Sequence, residues 1–207
     1  MFNTVKQNTN LPTTGSMLTT AIVTNNTDPG NLGRIKVQYP WNNETEESDW
    51  ARMSTLMAGN ERGLYFIPEV DEEVLVAFVN GDIQSPIVIG SLWNQSDGPP
   101  ETNENGKNNI RKIRSRSGHE IIFNDSDDDA SEKLEIISSS GHKIVLDDAS
   151  GSEKISITDN AGSSIEFDTT QQAIKITSGM DVSIEATNIT IKASGELVLK
   201  GAMVRIN

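Results

Sequence analysis

Cysteine is absent from the 207 residues and histidine occurs only twice, which excludes disulfide staples, thiolate metal sites, cysteine nucleophiles and most zinc sites together. The redox compartment is therefore unreadable. Positive charge is also scarce: 17 Lys and Arg against 30 Asp and Glu give a formal net charge of -13, so a phosphate backbone or an anionic membrane surface is repelled. Nucleic acid is not an expected partner. Apolar residues make up 35% and aromatics 5%, which is thin for a monomeric globule of this size. Either part of the chain stays disordered or several chains share a core. No run approaches the roughly eighteen apolar residues of a membrane span. The N-terminal MFNTVKQNTNLPTTGS carries one Lys and no apolar stretch, so no signal peptide is read there and synthesis in the cytoplasm is expected.

What is present falls into zones. Residues 1–16 are rich in Asn, Thr, Gln, Gly and Pro without periodicity and read as a flexible N-terminal arm. Residues 17–93 hold short β-rich runs between turn signals: LTTAIVT, RIKVQYPW, WARMSTLM, EEVLVAFV and PIVIGSLW. Arg34 to Tyr39 alternates with the two-residue period of a half-buried strand, and Asn80-Gly81 between apolar runs is a hairpin cue. Five short strands in this length suit a small closed barrel of the OB type. Residues 94–109, NQSDGPPETNENGKNN, read as a linker.

Residues 110–207 carry an internal repeat of apolar residues two apart. The pairs are Ile121/Phe123, Leu134/Ile136, Ile144/Leu146, Ile155/Ile157, Ile165/Phe167, Ile174/Ile176, Val182/Ile184, Ile189/Ile191, Leu197/Leu199 and Val204/Ile206. Ten such pairs predict ten strands with one inward face; the residue between is usually polar, with Ile122 and Val145 as exceptions. Successive pairs are 13, 10, 11, 10, 9, 8, 7, 8 and 7 residues apart, so the connections shorten toward the C-terminus. Two inward side chains per strand make no dry core, and seven or eight residues are too few for one chain to complete a triangular solenoid coil. Several chains must each supply a face. The expectation is an all-β homotrimer wound about one axis, its core made by those pairs from Ile121 to Leu199, tapering toward the C-terminus.

At this point GRIKVQYPW (33–41), WARMSTLMAGNERGLYFIPEVDEEVLVAFVNGDIQSPIVIGSLWN (50–94) and SGHEIIFND (117–125) resemble the spike proteins of contractile injection machines. These include the VgrG proteins of type VI secretion and the baseplate assembly protein V family of contractile phages. The resemblance implies an OB-fold followed by a C-terminal intertwined triple-stranded β-helix in a homotrimer. It implies a structural, non-enzymatic spike in a tail-tube assembly, with a hub protein on the OB-fold side and the target membrane met only on piercing. A particle carrying it would be delivered toward the target cell envelope. The hub-forming region that precedes the OB-fold in VgrG proteins is not in this sequence, which implies either a separate hub or a trimmed spike. The 94–109 linker has no room for a peptidoglycan-cleaving insert, and the C-terminal GAMVRIN lacks a His-x-His iron pair. Val204, Arg205, Ile206 and Asn207 are therefore expected to dock a separate PAAR-like tip protein.

Other chemistry has weaker support in the residues. Asp125, Asp127, Asp128 and Asp129 could surround a hard cation, but the EF-hand pattern fails at Ala130 and Ile136, and a solvated acidic loop is the simpler reading. His119 and His142 share the parity of the inward residues, so a ring of imidazoles on a threefold axis is conceivable; the third equivalent is Ser163, which favours a structural role. Lys107, Arg111, Lys112, Arg114 and Arg116 are expected in intratrimer ion pairing at the junction of barrel and needle. Glu44, Glu46, Glu47 and Asp49 read as a solvated loop or a face toward a basic hub. Trp41, Trp50 and Trp93 border strands and are expected in core or hub contacts rather than stacking bases. No Ser/His/Asp arrangement or phosphate-cradling loop is found, and no cofactor, metal or catalytic site is expected. The rival reading is a β-solenoid tailspike-like adhesin or glycan hydrolase, which would need carboxylates gathered in a groove.

Overall fold

A computed structural model describes residues 18–127 and 131–206; the expected arm (1–16), Asp128, Asp129, Ala130 and Asn207 lie outside them. The chain divides into two units at Pro99/Pro100, and no α-helix occurs among the described residues.

The first unit holds β1 (Leu18–Asn25), β2 (Lys36–Gln38), β3 (Arg52–Met53), β4 (Ala58–Gly59), β5 (Arg62–Gly63), β6 (Glu73–Phe78) and β7 (Pro86–Ser91). Alternation decides which side chains point inward: in β6, Val74, Val76 and Phe78 are buried while Glu73, Leu75 and Ala77 are not. The five-stranded sheet runs β2-β1-β6-β7-β3, with β3 parallel to β7. An antiparallel bridge between Ile35 and Ala51, just ahead of β2 and β3, joins the two ends of that order and closes an OB-like barrel. Ladder irregularities at Val23/Asn25 and Leu75/Val76 supply local bends of the kind that curvature requires. Inside lie Ala21, Val23, Ile35, Val37, Tyr39, Ala51, Val74, Val76, Phe78 and Val88. Asn80 and Gly81 both take positive φ, as the Asn-Gly cue anticipates, but the reversal runs from Val79 to Ser85 rather than through a two-residue turn, with Asp82 receiving the Gln84 N–H and the Ser85 hydroxyl.

The second unit is a meander. β8 (Ile110–Arg114), β9 (Glu120–Asn124), β10 (Lys133–Ile137), β11 (Lys143–Asp147), β12 (Lys154–Thr158), β13 (Ser164–Asp168) and β14 (Ala173–Thr177) form one seven-stranded antiparallel sheet in sequence order. Six of the ten apolar pairs thus sit in β9–β14, and β8 adds a strand that its basic residues had concealed. The last four pairs, from Val182 to Ile206, join no ladder among the described residues of this chain.

Three equivalent turns line one edge of the sheet. In each, Ser115, Ser138 or Asp159 receives through its side chain the N–H four residues on, at 3.0, 3.0 and 2.8 Å, and Gly118, Gly141 or Gly162 supplies positive φ. At the opposite edge Asn124, Asp147 and Asp168 receive loop N–H groups in the same manner. The structural repeat is therefore a hairpin of two strands, visible in sequence as GHEIIFND, GHKIVLDD and GSSIEFDT.

Candidate functional site: an apolar sheet face without a partner

Strand register sorts the expected core residues into two stripes on one face. One stripe runs Ile113, Ile121, Ile136, Ile144, Ile157, Ile165, Ile176; the other runs Phe123, Leu134, Leu146, Ile155, Phe167, Ile174, with Arg111 opposite Phe123 at its start. Cross-strand neighbours of this kind are the unit of sheet packing. In the single chain most of them stay exposed, Ile157 at 47% and Ile174 at 67%, while Ile121 and Leu134 are half-buried. No described residue of the second unit is fully buried, whereas the first unit holds a complete core. The opposite, charged face is the better covered one, with the side chains of Lys112, Glu120 and Glu135 only 13%, 15% and 14% exposed. Such a sheet presents an uncovered apolar face of the kind that marks an interaction surface.

Beyond β14, Val182, Ile184, Ile189, Ile191, Leu197, Leu199, Val204 and Ile206 are all exposed, as are Val198 and Arg205. The guanidinium of Arg205 contacts the Met203 sulfur at 3.2 Å. The fourth residue of the expected docking tip, Asn207, lies outside the described residues.

The basic cluster meets acidic partners in the single chain. Arg111 pairs with Asp125, Lys112 with Glu101 at 3.2 Å and Glu120 at 3.9 Å, and Arg114 with Glu120 at 3.2 Å, all within one chain. Lys112 holds the Glu101 carboxyl below its ordinary range. Farther along the charged face, Lys175 pairs with Glu166 and Asp168 at 3.3 and 3.4 Å, and these contacts raise its ammonium.

The histidines hold turns together. Nδ1 of His119 accepts the Ser139 N–H and Nδ1 of His142 accepts the Asn160 N–H, each at 3.2 Å, so each imidazole tacks its turn to the next. Sequence reading missed this role because it appears only when the turns are stacked. Among the described residues no three His, Asp or Glu side chains are grouped to hold a metal ion.

In the barrel unit, sequence reading missed a closed loop. Asp28 is buried and receives N–H groups of Gly30 and Leu32 at 2.9 and 3.0 Å and two guanidinium bonds of Arg34 at 2.8 Å. These bonds, Arg34 foremost, hold its carboxyl well below the usual range. Arg34 and Lys36 then lie 5.9 and 5.5 Å from the Trp50 ring centroid. Trp41 stacks on Tyr39 at 4.9 Å, and Phe78 meets Tyr39 edge-on at 5.5 Å. Lys36 takes Glu47 at 3.1 Å, while Glu44, Glu46 and Asp49 stay exposed. Trp93 is exposed, as are Leu56, Met57, Leu64, Tyr65 and Phe66 around the β4–β5 hairpin. Gly63 in that hairpin has φ +147, and a Cβ there would sit 2.3 Å from the Met57 carbonyl oxygen.

Known proteins share part of this two-part architecture. Residues 19–93 match the family model described as the type VI secretion system/phage-baseplate injector OB domain. Over 74 residues the chain is 38% identical to the actin cross-linking toxin VgrG1 of Vibrio cholerae, covering 34% of this chain and 7% of that protein. It is 36% identical over 72 residues to the type VI secretion system spike protein VgrG2a of Pseudomonas aeruginosa, covering 33% and 9%. It is 33% identical over 91 residues to VgrG1a of the same species, covering 42% and 14%. The chain thus spans less than a sixth of the length of these relatives. Through residues 19–93, the resemblance to the VgrG and phage baseplate assembly protein V spike family read from the sequence holds.

Proposed function

We propose that the protein is the central spike of a contractile injection apparatus, of the phage-tail or type VI secretion kind. Its C-terminal unit is a triple-stranded β-helix formed by three copies. The observation that carries this reading is the two-striped apolar face, left bare on a chain whose other unit is a spike-type OB domain. Three such faces turned toward one axis would bury the stripes and leave the ion-paired faces outward, and each fully buried aliphatic side chain is worth roughly 1.5–3 kcal/mol. The trimer core is then Ile121, Phe123, Leu134, Ile136, Ile144, Leu146, Ile155, Ile157, Ile165, Phe167, Ile174, Ile176, Val182, Ile184, Ile189, Ile191, Leu197 and Leu199. A stack of strands satisfied on all sides suits a part that is driven through an envelope by force and performs no bond chemistry.

The exposed apolar residues around the β4–β5 hairpin and the acidic 44–49 loop are the surface offered to a hub. Val204, Arg205, Ile206 and Asn207 are the platform offered to a PAAR-like tip protein. The relatives named as spike proteins support the assembly reading and do not favour the tailspike-like adhesin or glycan hydrolase. Particles assembled without this protein should keep a sheath that contracts and lose penetration of the target envelope; undiminished injection in its absence contradicts the reading. Deleting residues 203–207 should abolish co-purification with the tip protein and preserve the trimer.

A further inference from the structure

We infer that His119 and His142 form an acid-sensitive latch along one edge of the seven-stranded sheet, closed while both imidazoles are neutral and released when they take up a second proton. That edge carries three equivalent turns, 115–119, 138–142 and 159–163. The backbone link between neighbouring turns is an N–H given to an imidazole: Ser139 N–H to His119 Nδ1 and Asn160 N–H to His142 Nδ1, both at 3.2 Å. A ring nitrogen accepts only while it carries no proton, so each ring is held with its proton on Nε2. Histidine is the side chain suited to change charge between pH 5 and 8, and both residues are exposed, so protons reach them from solvent. Protonation turns Nδ1 into a donor facing another donor, and the link is lost. The bonds inside each turn do not titrate in this way, because the Ser115 and Ser138 hydroxyl oxygens accept the His119 and His142 N–H groups.

Charged neighbours make the two links unequal. On its own pair of strands His119 stands near Arg114, Arg116 and Glu120 in sequence, and Glu120 already pairs with Arg114 at 3.2 Å. The turn that His119 reaches, 138–142, carries no carboxylate, and Lys143 follows it. A protonated His119 thus meets no anion on the turn opposite. His142 shares a groove with Lys143 of its own strand and Asp159 of the turn it reaches. Asp159 accepts the Ser163 and Ala161 N–H groups at 2.8 Å each, and these bonds hold its carboxyl below the ordinary range, so it stays an anion where histidine titrates and balances an imidazolium. The second link also has a further bond, from the Asn160 side-chain amide to the Ser140 carbonyl at 3.1 Å. The His119 link has neither support and is the one that acid opens farther. The third turn carries Ser163 where the others carry histidine, and it lies outside the latch.

Amide hydrogen exchange of the intact protein at pH 8 and pH 5, each rate corrected for the pH dependence of exchange in an unfolded chain, tests this. Protection of the Ser139 amide should fall about tenfold at pH 5, the size of one lost hydrogen bond. That of Asn160 should fall less, and that of Ser163 should not change. Equal protection of Ser139 at the two pH values, or an equal fall at Ser139 and Ser163, overturns the latch. His119→Gln isolates the ring, because an amide oxygen accepts an N–H without titrating: the response at Ser139 should vanish while that at Asn160 remains. A response at Ser139 that persists in this variant belongs to another group and also overturns the latch. Should the variant fail to fold, the comparison of Ser139 with Ser163 in the unaltered protein decides alone.

Discussion

At the scale of single residues, the charged groups that matter most are those the fold has surrounded. Asp28 fixes the 28–34 loop through backbone and guanidinium bonds, so Asp28→Asn should lower the temperature at which the near-ultraviolet signal of Trp41, Trp50 and Tyr39 is lost. The sign with pH follows from its depressed folded-state value. The contribution is complete above the ordinary carboxylate value of 3.8 and is lost as pH falls below it toward the depressed one. The gap between wild type and Asp28→Asn should therefore be widest at neutral pH and narrow as the pH is lowered from about 4 to about 2. A gap independent of pH would contradict the role of the charge. The sequence shows DPGNLGR as a turn, but it does not show which donors a single carboxylate collects. That depends on the loop curling around it, with Asn31 and Gly33 at positive φ.

At the scale of elements, alternation made the barrel strands and six of the needle pairs legible, because a period of two is preserved wherever one face is apolar. β8 was hidden by Arg111, a cation at a position that apolar residues occupy in later strands and that Asp125 neutralises. The two-strand hairpin period was legible in the recurring Gly-His and Gly-Ser starts, yet only the single-strand spacing stood out. Turn glycines now separate into two kinds. At Gly141, with φ +93, an added methyl group would meet Asn160 Cβ at 3.7 Å, an ordinary contact, so the cost of Gly141→Ala is conformational, about 1–2 kcal/mol. Gly179 has no positive φ and open space around it, and Gly179→Ala should leave thermal stability unchanged. Equal melting temperatures for the two variants would contradict the distinction. On the faces, Ile157→Asp places a carboxylate in an apolar stripe and should prevent assembly. Ser156→Lys, opposite Glu166 on the charged face, should leave it intact; chromatography of both variants checks the assignment.

At the scale of the whole molecule, the low apolar content, the ten pairs and the lack of any buried side chain among the described residues of the second unit lead to one requirement. In the proposed reading that requirement, a second core, is met by other copies of the same chain. The expectation of a shared core was drawn from the sequence because two inward side chains per strand make no dry core in one chain. Light scattering across a dilution series tests the central claim most directly. A single folded species of three times the 22.5 kDa of one chain, with no folded monomer appearing on dilution, is expected. A stably folded monomer, with its isoleucine stripes open to water, would contradict it.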